Sequence, residues 1–142
     1  PEMLEKALGA NPDAKVVFST LSETSTGVGH DLAAFGKIVA KTDALLAVDG
    51  ISGLGAMECR TDAWNLDVVV TGSQKALMMP PGLAFIALSA KAWAKVDATA
   101  PRGFYLDLRR YRKSLAESDT PFTPGNTLIK AQRVSLKRIR AE

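Results

Sequence analysis

Three short polar segments carry the side chains that could do chemistry, and each directly follows an apolar run. Glu23-Thr24-Ser25-Thr26-Gly27-Val28-Gly29 comes after Lys15-Val16-Val17-Phe18. Asp49-Gly50-Ile51-Ser52-Gly53 comes after Leu45-Leu46-Ala47-Val48, and Thr71-Gly72-Ser73-Gln74-Lys75 after Asp67-Val68-Val69-Val70. A carboxylate and an ammonium at neighbouring strand tips, with hydroxyls and amides nearby, make a ligand site. Lys75 precedes the apolar stretch Ala76-Leu77-Met78-Met79-Pro80-Pro81-Gly82. Apolar surroundings penalise the charged form of a lysine, which is one route to a Schiff-base nucleophile. Spacing alone fits an ordinary surface lysine as well, and that is the commoner case.

The elements that must position these residues follow from periodicity and breakers. Residues 2–8 read as the end of a helix, stopped by Gly9 and Asn11-Pro12-Asp13. Four short apolar strands follow, at 15–18, 45–48, 67–70 and 83–88. Ser22 to Gly29 reads as a polar loop. Asp31 is a good N-cap for a helix over about 32–41, with Leu32, Phe35, Ile38 and Val39 on one face. Further helices are expected over 90–96, 107–117 and 126–141. In the last, Leu128, Ile129, Leu136 and Ile139 form the expected apolar face. Strands alternating with helices predict an α/β fold whose sheet is mostly parallel, flanked by helices and buried on both faces. Ligands in such sheets sit beyond the carboxyl ends of the strands, which directs attention to the residues after Phe18, Val48 and Val70.

Composition sets the outer bounds. With 142 residues, 46% of them hydrophobic and 23% charged, the chain can bury a sizeable core and is neither disordered nor collagen-like. No apolar run approaches the ~20 residues of a membrane span. One cysteine, Cys59, excludes an intrachain disulfide, which fits a reducing compartment. The first residues resemble no signal peptide, so the expected location is cytoplasmic, and the lack of an initial Met suggests a processed or truncated product. The net charge of +3 resides in the last fifteen residues, which hold five bases and one acid. Without an aromatic platform these bases read as a solvated helix face rather than a nucleic-acid patch. His30 has no His or Cys at ligand spacing and reads as a surface or cap residue, and no metal site is expected. Cys59 reads as buried or inert, and Trp64, Trp93, Met78 and Met79 as packing residues.

Taken in order, these segments resemble the class V aminotransferases of fold-type I, in particular the alanine–glyoxylate and serine–pyruvate type. The resemblance is carried by Glu23 to Val28, by Val48 to Gly55, and by Asp67 to Leu77 with Pro80-Pro81-Gly82. It is extended by Phe104-Tyr105-Leu106-Asp107 and Thr120-Pro121-Phe122-Thr123-Pro124. The resemblance implies pyridoxal 5'-phosphate as cofactor and transamination between alanine or serine and glyoxylate or pyruvate. It implies that Lys75 forms a Schiff base with the cofactor and shuttles a proton at the substrate α-carbon. Asp49 would pair with the pyridine nitrogen, Ile51 would pack on the ring, and Thr24 would lie near its edge. Gln74 would bind the phosphate, and Thr120 and Thr123 the phosphate of a partner subunit, which implies a homodimer. It also implies that residues 1–142 are the central portion of the cofactor-binding large domain. The N-terminal phosphate cradle and C-terminal small domain would lie outside, apolar surface would be left uncovered, and the chain alone would bind cofactor weakly.

Two alternatives remain at this level. A related lyase or cysteine desulfurase would place a histidine before the lysine, where this chain has Gln74, and would need a nucleophilic cysteine in a later loop than Cys59 occupies. A non-catalytic structural fragment is the other.

Overall fold

The computed structural model describes residues 1–141. A four-stranded sheet organises the chain, with helix α1 (Glu2–Ala10), strand β1 (Val16–Thr20), a small hairpin β2 (Ser22–Glu23) and β3 (Val28–Gly29), and helix α2 (Leu32–Val39) leading to β4 (Leu45–Asp49). Strands β5 (Val68–Gly72) and β6 (Ala84–Leu88) follow, then helices α3 (Ala90–Ala98), α4 (Leu108–Ala116) and α5 (Asn126–Ile139). The spatial order is β1-β4-β5-β6. The first three strands are parallel and β6 is antiparallel to β5. The reversal has a local cause: the connection from Gly72 to Ala84 contains no helix, and a parallel return needs a crossover of a dozen or more residues, usually helical.

The core lies on one face of this sheet. Leu46, Val48 and Val69 are buried there against Leu21, Leu32, Val39, Ala44 and Leu66. Each such side chain contributes roughly 2 kcal/mol on leaving water. Asp31 caps α2 as its sequence position suggests, its Oδ1 accepting from the Ala34 amide at 2.9 Å. α2 then comes so close to the loop after β4 that a Cβ on Gly36 would sit 1.6 Å from the Trp64 carbonyl oxygen. Only glycine permits that approach. Among the described residues no helix is long and apolar enough to cross a membrane.

Three sequence expectations are corrected. The sheet is not buried on both faces: Phe18 is 82% exposed, and Val16 and Ile86 on the same face are also exposed. The polar run Ser22–Gly29 is not a plain loop but closes as the β2–β3 hairpin, pairing Ser22 with Gly29 and Glu23 with Val28. Two-residue strands carry no readable alternation. On α5 the inferred apolar face holds only in part: Leu128 and Ile139 are half-buried, but Ile129 and Leu136 are exposed, whereas Gln132 and Ser135 are buried. The buried side of that helix makes polar contacts with the loop between β5 and β6.

Candidate functional site

Parallel pairing brings the three strand tips into one line. Thr20, Asp49 and Val70 are lateral neighbours across β1, β4 and β5. Paired residues project to the same side of a sheet, so Thr20 and Asp49 share a face. Backbone bonds fasten the turns to each other: the Leu21 amide donates to the Asp49 carbonyl and the Gly50 amide to the Val70 carbonyl, each at 2.8 Å. Thr24 Oγ1 and Ser52 Oγ meet at 2.7 Å and tie the first tip to the second. The second is packed on the third, because Gly55 (φ +95°) lies against Ala76 and Leu77. A side chain at that left-handed position would be strained.

Asp49 is exposed at the end of β4. Its Oδ1 accepts from the Ile51 amide at 2.8 Å, which closes a tight turn and fixes the carboxylate. Oδ2 has no protein partner among the described residues and is free to receive a donor from a ligand. Ile51 is half-buried on the same turn. Glu23 is held by its own hairpin: Ser25 donates through its hydroxyl at 2.7 Å and its amide at 3.0 Å. Those two bonds lower the Glu23 carboxyl pKa, with a small contribution from the facing His30.

Lys75 leads the loop that joins β5 to β6. Fully buried Ser73 closes that loop from inside: its Oγ donates to the Pro80 carbonyl at 2.6 Å and accepts from the Leu83 amide at 3.3 Å. The Met78 amide donates to the Lys75 carbonyl at 2.9 Å, with Met78 in the left-handed region at φ 56°. The lysine side chain itself is exposed. The desolvation suggested by its apolar flanks is therefore not supplied by these residues, since the flanking Leu77 turns inward and Lys75 outward. Gln74 is exposed too, and its amide folds back over Gly72, where an added Cβ would fall 2.6 Å from Oε1. Among the described residues no hydrogen bond or ion pair joins Asp49 to Lys75. The two are linked through their turns.

Among the described residues no contact brings Thr120 and Thr123 to the strand tips. Both are exposed on the loop before α5, and the Thr120 amide donates to Asp119 Oδ1 at 2.7 Å. Between them Phe122 stacks with Tyr105, Tyr111 and Phe104 at centroid distances of 4.7 to 5.8 Å. Two residues next to Asp49 escaped sequence reasoning. Thr20 is its partner across β1, and His30 is half-buried with Nδ1 3.1 Å from Thr20 Oγ1. With Asp49, Phe18, Phe35 and Val70 they line an open hollow of about 640 Å³ on the uncovered face. Lys75 does not line it. No local pattern announces this pair, because strand register creates it. Cys59 is half-buried and burial raises its thiol pKa, away from the thiolate form that reacts.

The donor set has a definite chemical character. A fixed, exposed carboxylate with one free oxygen can hold a proton on a ring nitrogen. A primary amine on the adjoining tip can condense with an aldehyde. Hydroxyls at Thr24, Ser52 and Thr20 supply orienting hydrogen bonds.

The model of the aminotransferase class-V family matches residues 1–137. A protein named as the small subunit of a soluble hydrogenase from Synechococcus sp. is 50% identical over 131 residues, covering 91% of this chain and 34% of the relative. An L-aspartate–glyoxylate aminotransferase from Paracoccus denitrificans is 44% identical over 133 residues, 92% of this chain and 33% of its own. The crystal structure of an alanine–glyoxylate aminotransferase from Nostoc sp. superposes with a TM-score of 0.93 at 29% identity, over 99% of this chain and 38% of that one. The chain thus spans about a third of the length of the relatives it matches.

Proposed function

The chain belongs to the class-V aminotransferase family, and on that premise we propose that the whole protein is an aminotransferase dependent on pyridoxal 5'-phosphate. Residues 1–142 are read as the central portion of its cofactor-binding large domain, with a phosphate cradle and a small domain elsewhere in the protein. The open sheet face around Phe18 supports that reading. The observation that carries the function is the placement of a fixed Asp49 carboxylate and of Lys75 on adjoining turns that pack together at Gly55.

The residues present fit the cofactor's chemistry at its nitrogen and its aldehyde. Asp49 Oδ2 holds a proton on the pyridine nitrogen, and Ile51 packs on the ring. Thr24 would stand near the ring edge and Gln74 would bind the phosphate. Thr120 and Thr123 serve the partner subunit's phosphate in a homodimer. Lys75 holds the cofactor by its amine and moves a proton at the substrate α-carbon. When bound, the cofactor supplies an electron sink for that carbon. The substrates are a small amino acid, alanine or serine, and a 2-oxo acid, glyoxylate or pyruvate, and the location is cytoplasmic.

A desulfurase is disfavoured by Gln74 before the lysine and by the raised Cys59 thiol. The test is amino transfer to glyoxylate or pyruvate by the full-length protein, supplied with alanine, serine or aspartate. Transfer that falls at least about a thousandfold in Lys75→Ala supports the proposal. No transfer with any pair, or a Lys75→Ala variant as fast as the parent, would sink it.

A further inference from the structure

We propose that Ser135 and Gln132 on α5 are positioning residues for Lys75, acting through the carbonyl of Leu77. This rests on the cofactor role of Lys75 and names what holds that lysine in place. Lys75 opens a tight turn: its carbonyl accepts from the Met78 amide, and Met78 adopts a positive φ. A non-glycine residue in that region persists where its surroundings hold it. The turn leaves the Leu77 carbonyl without a partner inside the loop. Helix α5 supplies two. Ser135 Oγ donates to Leu77 O at 2.5 Å, and Gln132 Nε2 donates to the same oxygen at 3.4 Å.

Both donors are nearly sealed from water, Gln132 at 3% exposed and Ser135 at 7%. They occupy the side of α5 that faces the β5–β6 loop, an inward side where a helix ordinarily presents apolar groups, while Ile129, Val134 and Leu136 are exposed. Gln132 does so although its Oε1 has no partner among the described residues, a cost that a simple packing residue would not carry. The contact extends to the far end of the loop: Leu128 of α5 occupies the space a Cβ on Gly82 would need, with its Cδ1 2.7 Å away. The opposite side of the turn rests on Gly55, in the turn that follows Asp49. Leu77 is therefore clamped between the Asp49 turn and α5, and the direction in which Lys75 leaves the loop is set by both.

The test uses the full-length protein with pyridoxal phosphate as probe. Borohydride reduction and peptide mapping give the concentration that half-saturates Lys75, and deuterium exchange reports the amides of residues 75–79. Ser135→Ala is expected to raise the half-saturating concentration about fivefold, the ratio that one lost net hydrogen bond gives, and to speed exchange in that loop. Ser135→Thr, which keeps the hydroxyl, should restore both, and Gln132→Met should show a smaller shift in the same direction. If Ser135→Ala does not fold, the Thr and Met variants carry the comparison. Unchanged saturation and unchanged loop exchange, even with a lower melting temperature, overturn the positioning role alone. Absence of any adduct at Lys75 in the unmodified protein overturns the cofactor reading, and this inference with it.

Discussion

Two aspartates at opposite ends of the same sheet differ in almost everything but chemistry. Asp67 stands at the amino end of β5, 6% exposed, with both oxygens used by the chain. Oδ2 accepts from the Leu46 amide at 3.0 Å and Oδ1 from the Ser89 hydroxyl at 2.6 Å. Ser89 in turn caps α3 by accepting from the Ala92 amide. Asp49 stands at the carboxyl end of β4, exposed, with one oxygen fixed and one free. The amino end of the sheet is closed on itself and holds the fold together. The carboxyl end is organised but unsaturated. Unused hydrogen-bonding capacity on a fixed group, more than residue type or burial, separates the binding carboxylate from the structural one.

The contrast is broken most directly by substituting both. Asp67→Ala strands a buried amide and a half-buried hydroxyl, and should cost about 3 kcal/mol of stability in the full-length protein. Asp49→Ala should change stability by no more than about 0.5 kcal/mol. Urea unfolding reads both, and equal losses would remove the distinction. A smaller effect is expected within the carboxyl end itself. Thr24→Val removes the bond to Ser52 and should cost about 1 kcal/mol or less by the same measurement. Smallest is a proton effect at Glu23. Its carboxyl is lowered by the Ser25 hydroxyl and amide, so its contribution is present above the ordinary carboxyl value and is lost as pH falls through the lower folded value. In Ser25→Ala, a carbon NMR titration should find the Glu23 carboxyl nearer the ordinary range; an unmoved titration would deny the hydroxyl that role.

The line of strand tips was legible in the sequence because each apolar run stops at a Gly-containing polar segment, and parallel strands must end on one edge. Asp49 and Lys75 were singled out that way. The roles of Ile51, Thr24, Gln74, Thr120 and Thr123 rest on family resemblance, and among the described residues no contact gathers Thr120 and Thr123 to the tips. Thr20 and His30 were not legible, because they reach Asp49 through strand register. The buried side of α5 was misread for a related reason. Its buried positions include Gln132 and Ser135, whose acceptor lies more than fifty residues earlier at Leu77, and helical periodicity weighs only polarity. The strand pattern alone read the sheet's second face as covered, because apolar strands look alike whether or not a layer packs on them; only the family resemblance implied uncovered apolar surface.

The role of Asp49 is tested most directly by the nitrogen NMR shift of isotopically labelled pyridoxal phosphate bound to the full-length protein. A protonated pyridine nitrogen is expected in the parent protein and an unprotonated one in Asp49→Asn. An unprotonated nitrogen in the parent, or a protonated one that survives the substitution, would contradict the assignment of Asp49 and with it the reading of the strand tips as the cofactor site.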